Sequence, residues 1–460
     1  MPILAAYMVP HPPMIIPEVG RGSEVQIQET IQAYESVAAE IAELKPDTII
    51  ITSPHATMYS DYFHISSGHG AKGSFAGFGV PSVRFEEEYD TLLRERICYL
   101  ADVEDFPAGT LGERDKRLDH GTMVPLWFIR KHYSGAKILR IGLSGLPLAD
   151  HYRLGMIIKE AVELENRRVV FVASGDLSHK LQTYGPYGFA KEGPIYDERI
   201  MDVCGRGAFG ELFDFDETFC NKAAECGHRS FVIMAGAFDG TAVEVKKYSH
   251  QDVTGVGYGI CSFHPGEKDS ERHFLNSYLK KQEEKLGNRE GMDPYVRLAR
   301  ESLESYILDY EIIDIPDWVP EEMLDRRAGA FVSIHKFGRL RGCIGTIQAT
   351  RESLAEEIIY NAISASTKDP RFDTIKPDEL KWLEINVDVL GEPEDIASEE
   401  ELDVKRYGVI VSSGYKRGLL LPDLDGVDTV SDQVSIAMQK GGIKPGEKIK
   451  LQRFEVVRHI

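Results

Sequence analysis

The chain has 460 residues, of which 42% are hydrophobic and 28% are charged. This length predicts two or three domains, and this composition excludes a chain that is disordered throughout. The 74 acidic residues outnumber the 53 lysines and arginines, which gives a formal net charge of −21. Because so negative a surface repels phosphate groups and anionic lipids, we expect no nucleic-acid partner and no membrane partner.

The amino-terminal segment lacks the basic stretch and the long apolar stretch of a signal peptide, and every apolar run is too short to cross a bilayer. The six cysteines lie far apart and form no Cys-x-x-Cys pair. A disulfide framework and a structural zinc site are therefore not expected. Together these features predict a cytoplasmic protein.

Residues 1–265 alternate between strand-like and helix-like segments. Short β-branched runs are typical of buried parallel strands, and segments with helical periodicity lie between them. This alternation predicts an α/β domain with a mostly parallel or mixed sheet flanked by helices. The predicted strands are Ile3–Val9, Asp47–Ser53, Lys137–Leu143, Arg168–Ala173, Thr241–Tyr248 and Gly255–Phe263, and the predicted helices include Ser23–Leu44, Leu148–Glu165 and Tyr196–Phe209.

The character of the sequence changes after residue 265. Residues 266–290 are rich in charged side chains around a short helical stretch, which is typical of a linker between domains. Asp293 and Pro294 then read as the N-cap and first residue of a helix over Tyr295–Leu308. The rest of 291–460 mixes short strands with Pro and Gly turns and predicts a smaller α+β domain.

Three histidines follow predicted strands of the first domain. His11 comes after the first strand, His55 after the second, and His179 after the strand that ends near Ala173. Ligands of open α/β sheets bind outside the carboxyl ends of parallel strands, so the three rings are expected at one edge of one sheet. A single histidine of this kind is usually structural, but three at one edge predict a metal or catalytic site.

Other side chains complete this hypothesis. His120 precedes a helix and is either a pocket residue or a turn residue. Two histidines and one carboxylate form the ligand set of many non-haem ferrous oxygenases, and Glu225 is the favoured carboxylate. The adjacent Cys226 is the alternative ligand. Asp176 and Asp119 lie near histidines in the sequence and are expected to orient their rings.

These motifs resemble the class III extradiol ring-cleaving dioxygenase superfamily of the LigB type, which also contains the Memo proteins. The resemblance covers nearly all of the first domain, and its motifs occur in a specific order. They are His-Pro-Pro at 11–13, Ser-Pro-His at 53–55, Asp-His-Gly with Val-Pro-Leu at 119–126, Gly-Asp-Leu-Ser-His at 175–179, and Glu-Cys-Gly before an apolar helix at 225–238.

The dioxygenase branch of this superfamily implies Fe(II) bound by His11, His55 and Glu225. It also implies His179 as the acid–base residue, with His120 nearby in the pocket. In the Memo branch a cysteine of a Cys-Gly motif takes the third metal position, which implies Cys226 here. The motifs leave the branch undecided.

Residues from about 290 to 460 resemble the AMMECR domain. The match rests on Leu-Arg-Gly-Cys-Ile-Gly-Thr at 340–346, with support from 365–372 and 383–389. Because Arg341 precedes Cys343 closely, a guanidinium-activated catalytic thiol is one hypothesis for this motif. The favoured hypothesis is a structural one, a turn with glycines on both sides of a cysteine that packs inward. Memo-like and AMMECR proteins accompany a radical-SAM enzyme, so the resemblance implies such a partner.

The favoured function is a non-haem Fe(II)-dependent extradiol dioxygenase that cleaves a catechol-like aromatic diol with O2. A Memo-like partner protein of a radical-SAM enzyme, without ring-cleaving activity, is the alternative. A third hypothesis is a redox metalloprotein that binds copper or another divalent metal through Cys226. The sequence leaves the oligomeric state open, with a homo-oligomer as one alternative because members of the superfamily commonly associate.

Overall fold

The computed structural model describes residues 2–113, 115–287, 291–424 and 426–460. It divides into two compact units, one that ends at Leu279 and one from Lys280 to Ile460. The described part of the predicted 266–290 linker contains a strand end and a helix, and its last three residues lie outside the described residues. Among the described helices, none combines the length and the apolar character needed to span a membrane.

The described residues of the first unit form ten strands. They are β1 (Ile3–Val9), β2 (Thr48–Ser53), β3 (Phe63–His64), β4 (Gly70–Phe75), β5 (Val80–Glu88), β6 (Ala108–Gly109), β7 (Lys137–Gly142), β8 (Val169–Ser174), β9 (Thr241–Gln251) and β10 (Tyr258–Lys268). Six of them form one mixed sheet in the order β7-β2-β8-β1-β10-β9. The β7–β2, β2–β8 and β8–β1 pairings are parallel, whereas β1–β10 and β10–β9 are antiparallel.

Helices flank this sheet and complete the predicted α/β fold. They are α1 (Pro17–Gly20), α2 (Gln28–Leu44), α3 (Thr91–Val103), α4 (His120–His132), α5 (Leu148–Leu164), α6 (Glu192–Arg206), α7 (Glu217–Ala223), α8 (His228–Gly236) and α9 (Phe274–Gly287). All six predicted strands are present, and the predicted mixed sheet is confirmed. The main differences are that α2 begins after a short 3-10 segment and that α6 begins at Glu192 rather than Tyr196.

Alternate side chains of the central strands enter two separate cores, one on each face of the sheet. On one face, Tyr7 and Val172 pack with side chains of α2 and α4. On the other face, Met8 and Phe171 pack with side chains of α3, α5 and α8. Because both faces are covered, the strands must be apolar almost throughout, as the Ile49–Ile51 run is.

In the second unit, the residues that the structure describes form a seven-stranded antiparallel sheet and four further helices. The strands are β11 (Ala330–Lys336), β12 (Arg339–Gly345), β13 (Leu383–Leu390), β14 (Glu394–Ile396), β15 (Tyr407–Ser413), β16 (Lys416–Leu420) and β17 (Lys450–His459). The helices are α10 (Pro294–Asp309), α11 (Glu321–Asp325), α12 (Leu354–Thr367) and α13 (Val430–Lys440). The strands follow the path β12-β11-β13-β17-β15-β16, with β14 beside β17, which confirms the predicted α+β class.

The Leu340–Thr346 motif forms most of strand β12, so the predicted turn is wrong. A Cβ atom at Gly342 would lie 2.1 Å from the carbonyl oxygen of Ala365, which explains why glycine is needed where β12 meets α12. Cys343 is half-buried rather than packed inward, and its sulfur accepts a hydrogen bond from Ser333 at 3.2 Å.

One hypothesis from the sequence placed the guanidinium of Arg341 beside Cys343. In the structure, Arg371 takes this position instead. Arg341 donates to Glu379 at 2.9 Å. Arg371 donates to the carbonyl oxygen of Cys343 at 3.4 Å and is paired with Asp369 at 2.7 Å. The charge of this second arginine is therefore already balanced by a carboxylate.

Arg140 on β7 is a buried cation, with 1% of its surface exposed. Its guanidinium donates to Ser66 at 2.7 Å, to the carbonyl oxygen of Arg117 at 2.6 Å and to Glu113 at 2.9 Å. The carboxylate of Asp119 lies 3.5 Å away. These contacts fix the segment that leads into α4 against the edge strand of the sheet.

Glu40 on α2 receives three donors from the sheet: Tyr7 at 2.8 Å, Tyr248 at 2.5 Å and His264 at 2.7 Å. Burial alone would raise the pKa of Glu40, but hydrogen bonds from His264, Tyr248 and Tyr7 lower that pKa to about 2. The hydrogen bond to Glu40 in turn raises the pKa of His264. This network ties α2 to strands β1, β9 and β10.

Replacing Arg140 with methionine is expected to lower the unfolding temperature of the first unit. The Glu113 carboxylate would stay buried without its cation, and breaking a buried ion pair from one side typically costs about 3–5 kcal/mol. Calorimetry of the full chain measures the effect. Arg117→Gln removes only a surface pair with Asp115 and is the matched control. Equal transitions in the two variants would contradict the structural role of Arg140.

The contribution of His264 is expected to depend on pH. Because folding raises the pKa of His264 above its unfolded value, its contribution is complete below that value and is lost as pH rises through the folded pKa. The loss of unfolding free energy in His264→Gln should therefore be larger near pH 5.5 than near pH 9, by about 1 kcal/mol or less for this partly exposed pair. Denaturant titration at both pH values tests this, with the exposed His69→Gln as control. A pH-independent difference would disprove the linkage.

Candidate metal centre

The carboxyl ends of β1, β2 and β8 meet at one edge of the sheet. The parallel register places Val9 opposite Ser174, and β2 pairs in parallel with β8 on its other side. His11 and His55 each follow the last residue of their strand by two positions. The sheet therefore brings together two loops that are distant in sequence and carry one imidazole each.

The donor atoms of His11, His55 and Cys226 lie within 4.8 Å of one another. The His11 Nε2 atom is 3.0 Å from the His55 Nε2 atom and 3.6 Å from the Cys226 Sγ atom. For a tetrahedral first-row ion with bonds of about 2.0–2.1 Å to nitrogen and 2.3 Å to sulfur, nitrogen and sulfur ligands stand about 3.6 Å apart. The three donors thus fit the coordination shell of a single transition ion.

The hydrogen bonds around His11 orient it as a ligand. The Ser174 hydroxyl donates to the carbonyl oxygen of Gly121 at 2.6 Å, so its oxygen accepts from the Nδ1–H group of His11 at 2.9 Å. This tautomer leaves the Nε2 lone pair facing His55 and Cys226. Burial lowers the pKa of His11, which favours the neutral ring that a metal requires.

His55 lies on the solvent side of this cluster. Partial burial of its ring, together with the nearby His11 and His120 rings, lowers the pKa of His55 to about 3. The Cys226 sulfur accepts a hydrogen bond from the backbone N–H of Asp176 at 3.2 Å. Burial and then the carboxylates of Asp176 and Glu225 raise the pKa of the Cys226 thiol. A bound cation would offset these effects and favour the thiolate.

Glu225 is not brought into this cluster, although the sequence favoured it as the third ligand. Its carboxylate accepts a hydrogen bond from the backbone N–H of His228, the first residue of α8, at 2.6 Å. Burial raises the pKa of the Glu225 carboxyl group. The structure therefore places the alternative, Cys226, beside His11 and His55.

His120 borders the cluster from the start of α4. The centre of its ring is 4.0 Å from that of His55 and 5.4 Å from that of His11. Burial and the proximity of His11 lower the pKa of His120 to about 4, so the ring is neutral near pH 7. Phe78, which is 41% exposed, packs edge-on against the other side of this ring at 5.5 Å.

Asp176 and His179 form a second group with Cys226 whose donor atoms also lie within 4.8 Å. The Oδ1 atom of Asp176 accepts from the backbone N–H of His11 at 2.7 Å, and its Oδ2 atom is 3.8 Å from the His179 Nε2 atom. Burial would raise the pKa of Asp176, but His11 and His179 lower it to about 2. Tyr187 stacks on the His179 ring at 5.0 Å.

The histidines and Cys226 that the structure brings together here were named from the sequence, but three side chains in contact with those histidines were not. They are Ser174, Phe78 and Tyr187. Ser174 carries a usable signal, because it is the last residue of the strand that precedes Asp176 and His179. Phe78 and Tyr187 lie in segments distant from the motifs, so only the tertiary contacts reveal them.

Family models match both parts of the chain. Residues 5–261 match the catalytic LigB subunit of aromatic ring-opening dioxygenase, and residues 296–459 match AMMECR1. Protein CA_C1420 of Clostridium acetobutylicum is 43% identical over 468 residues, which cover 98% of each chain. A protein of Thermotoga maritima is 49% identical over 171 residues, which cover 37% of this chain and 98% of that one.

Two solved structures of uncharacterized proteins are also similar. Protein PH0010 of Pyrococcus horikoshii has 30% identity and a TM-score of 0.34, and covers 36% of this chain and 88% of its own. Protein JW3007 of Escherichia coli K12 has 14% identity and a TM-score of 0.39, and covers 56% of this chain and 99% of its own. The family matches are the decisive ones: the chain belongs to the LigB family, and its LigB domain is followed by an AMMECR1 domain.

Proposed function

We propose that the LigB domain is a metal-dependent oxidoreductase whose ion is held by His11, His55 and Cys226. The observation that carries this proposal is the spacing of the three donor atoms, with His11 Nε2 at 3.0 Å from His55 Nε2 and 3.6 Å from Cys226 Sγ. The hydrogen bond from His11 to Ser174 adds support, because it directs a lone pair at the ion.

The ligand set bears on the choice of metal. A thiolate in place of a carboxylate makes the site softer, which favours copper over Fe(II). Two imidazoles also suit iron, so iron is the second candidate. When bound, either ion supplies electron transfer and an open position for an oxygen-bearing substrate.

The surrounding side chains are suited to handling protons next to this position. His120 is the first candidate, because its ring centre lies 4.0 Å from that of His55 and its neutral ring has a nitrogen lone pair that accepts a hydrogen bond from a substrate hydroxyl group. His179 is the second proton-transferring candidate, with Asp176 at 3.8 Å to orient its ring. Phe78 packs edge-on against the His120 ring, and Tyr187 stacks on the His179 ring.

Extradiol cleavage of a catechol-like aromatic by O2 is a more specific candidate for the reaction. The match to the catalytic subunit of a ring-opening dioxygenase supports it. The position of Glu225 weighs against an Fe(II) site of the two-histidine, one-carboxylate type, because its carboxylate binds the backbone of α8. We therefore propose ring cleavage as the reaction to be tested first, with Cys226 rather than Glu225 at the metal.

A Memo-like role without ring cleavage is the rival proposal. The match of residues 296–459 to AMMECR1 supports it, because the combined resemblance to Memo-like and AMMECR proteins implies a radical-SAM partner. This rival predicts a metal-loaded protein that consumes no oxygen with simple catechols. Co-purification with a radical-SAM enzyme would then be the decisive measurement.

Cys226→Ser is expected to weaken metal binding strongly, while Glu225→Gln is expected to retain it. Removing even an outer partner of a metal ligand costs about 10–100-fold in affinity, so loss of the thiolate should cost more than about 100-fold. Elemental analysis of protein purified without oxygen and loaded with Cu(I) or Fe(II) measures the effect. Glutamine at 225 still accepts from the His228 N–H group, which makes it the matched control. Metal loss in Glu225→Gln alone would refute the proposed ligand set.

His120→Gln is expected to lower turnover without removing the metal. Loss of a proton-transferring group typically costs about 10²–10⁴-fold in rate. An oxygen electrode with a panel of catechols, and parallel metal analysis, measure both quantities. His69→Gln, an exposed histidine on the same domain, is the control. No oxygen uptake by the loaded wild-type protein with any catechol would refute ring cleavage and favour the Memo-like role.

A further inference from the structure

The first unit contains a cavity at the edge of the sheet opposite the candidate metal centre. Its volume is about 400 Å³, which lies within the range of small-molecule sites. The start of β1, helix α5, the segment between α8 and β9, and the end of β10 line it. Because β1 has seven residues and rises about 3.3 Å per residue, its two ends lie roughly 20 Å apart. The cavity is therefore separate from the histidines that follow the strands.

One part of the cavity lining is apolar. Ile3, Ala237 and Phe238 line the cavity and are buried, with at most 6% of their surface exposed. Pro2 and Pro265 extend this apolar lining. Such a surface favours a ligand with an apolar body, since binding removes apolar area of both partners from water.

Lys159 on α5 is a half-buried cation in the same lining. Its ammonium group donates to the backbone carbonyl oxygen of Asp239 and, at 3.1 Å, to the hydroxyl oxygen of Thr241. Both acceptors are neutral, and among the described residues Lys159 forms no ion pair. An ammonium group has three N–H donors, so one remains for a ligand. A half-buried charge without a counter-ion is stabilised by an anion.

The carboxylate of Asp239 does not supply this anion, because both of its oxygen atoms are engaged elsewhere. It is part of a residue that is 6% exposed, and it accepts from the Tyr152 hydroxyl at 2.8 Å and from the Nδ1–H group of His273 at 2.6 Å. His273 also lines the cavity, and no described residue hydrogen-bonds its Nε2 atom. This atom offers a ligand a second polar contact.

We propose that this cavity binds a small monocarboxylate with an apolar body. The carboxylate accepts a hydrogen bond from Lys159, and the body packs against the apolar lining. Glu163 and Asp269 line the cavity together with Lys268, so the lining carries charges of both signs. A phosphate dianion meets more repulsion from these two carboxylates than a singly charged carboxylate does. The site depends neither on the metal nor on the proposed reaction.

Isothermal titration calorimetry of the metal-free full chain with phenylacetate tests this assignment. Without a bound ion, the carboxylate cannot be captured as a metal ligand. We expect a dissociation constant of about 1 mM or lower, which suits a ligand of about ten heavy atoms. Phenylacetamide has the same body without the charge, and inorganic phosphate has charge without the body. Each should bind at least about tenfold more weakly.

Two variants locate the binding in this cavity. Lys159→Met should weaken phenylacetate binding about 10–100-fold, as expected for loss of a hydrogen bond to a charged group. Lys137→Met is the matched control, because Lys137 lies outside the cavity lining and pairs on the surface with Glu88 at 3.7 Å. His273→Asn keeps a donor for Asp239 but lacks the Nε2 atom, and it should weaken binding about 2–10-fold.

The contrary outcomes are equally definite. No heat of binding with about 10 mM phenylacetate would overturn the site as a whole. Equal affinity for phenylacetate and phenylacetamide would overturn the anion assignment, and equal affinity for phosphate would overturn the role of the apolar lining. Wild-type affinity in a folded Lys159→Met protein would overturn the assignment of Lys159. If that variant does not fold, wild-type affinity in His273→Asn would overturn the placement of the ligand in this cavity.

Discussion

The parallel pairing of β2, β8 and β1 is the constraint on which the site depends. Parallel strands place their carboxyl ends at one edge, and the register of Val9 with Ser174 brings the loops that follow into contact. His11 then reaches Ser174 across the pairing, and the backbone N–H of His11 binds Asp176 from the neighbouring loop. The central strands pack apolar side chains on both faces of the sheet, and the polar side chains of the candidate site gather where these strands end.

Burial determines the charge state of the site. Removal from water keeps imidazoles neutral, as the lowered pKa values of His11 and His120 indicate, and it opposes ionisation of the Cys226 thiol. A neutral ring with a lone pair is a good ligand, whereas a buried protonated thiol beside carboxylates is a poor one. A bound cation would counter the raised pKa of the Cys226 thiol, because it would stabilise the thiolate. The histidine rings are already neutral and would need no change of protonation. Metal binding and thiol deprotonation are therefore coupled at Cys226.

Much of the fold could be predicted from the sequence, because the parallel strands of the first sheet are short, largely apolar runs, and His11 and His55 follow two of them closely. Arg140 could not be, since a lone arginine within the β7 run gives no indication of the carboxylates that surround it. Cys343 shows the same limit in the second unit. Its motif suggested a turn, but antiparallel pairing with β11 makes the segment a strand, and the glycine at 342 admits the close approach of α12.

The choice between Glu225 and Cys226 lay beyond the sequence for a related reason. Adjacent side chains just before a helix point in different directions. One of the two therefore faces the histidines, and the other is placed to bind the first backbone N–H group of the helix. Ala224 adopts a left-handed conformation with φ of 54°, which sets the direction of the chain just before the pair. Glu225 then turns to the first N–H group of α8, where a carboxylate is favourable, and Cys226 turns to His11. Glu225 therefore has a structural role at the start of α8, and the softer sulfur of Cys226 is left to face His11 and the proposed ion.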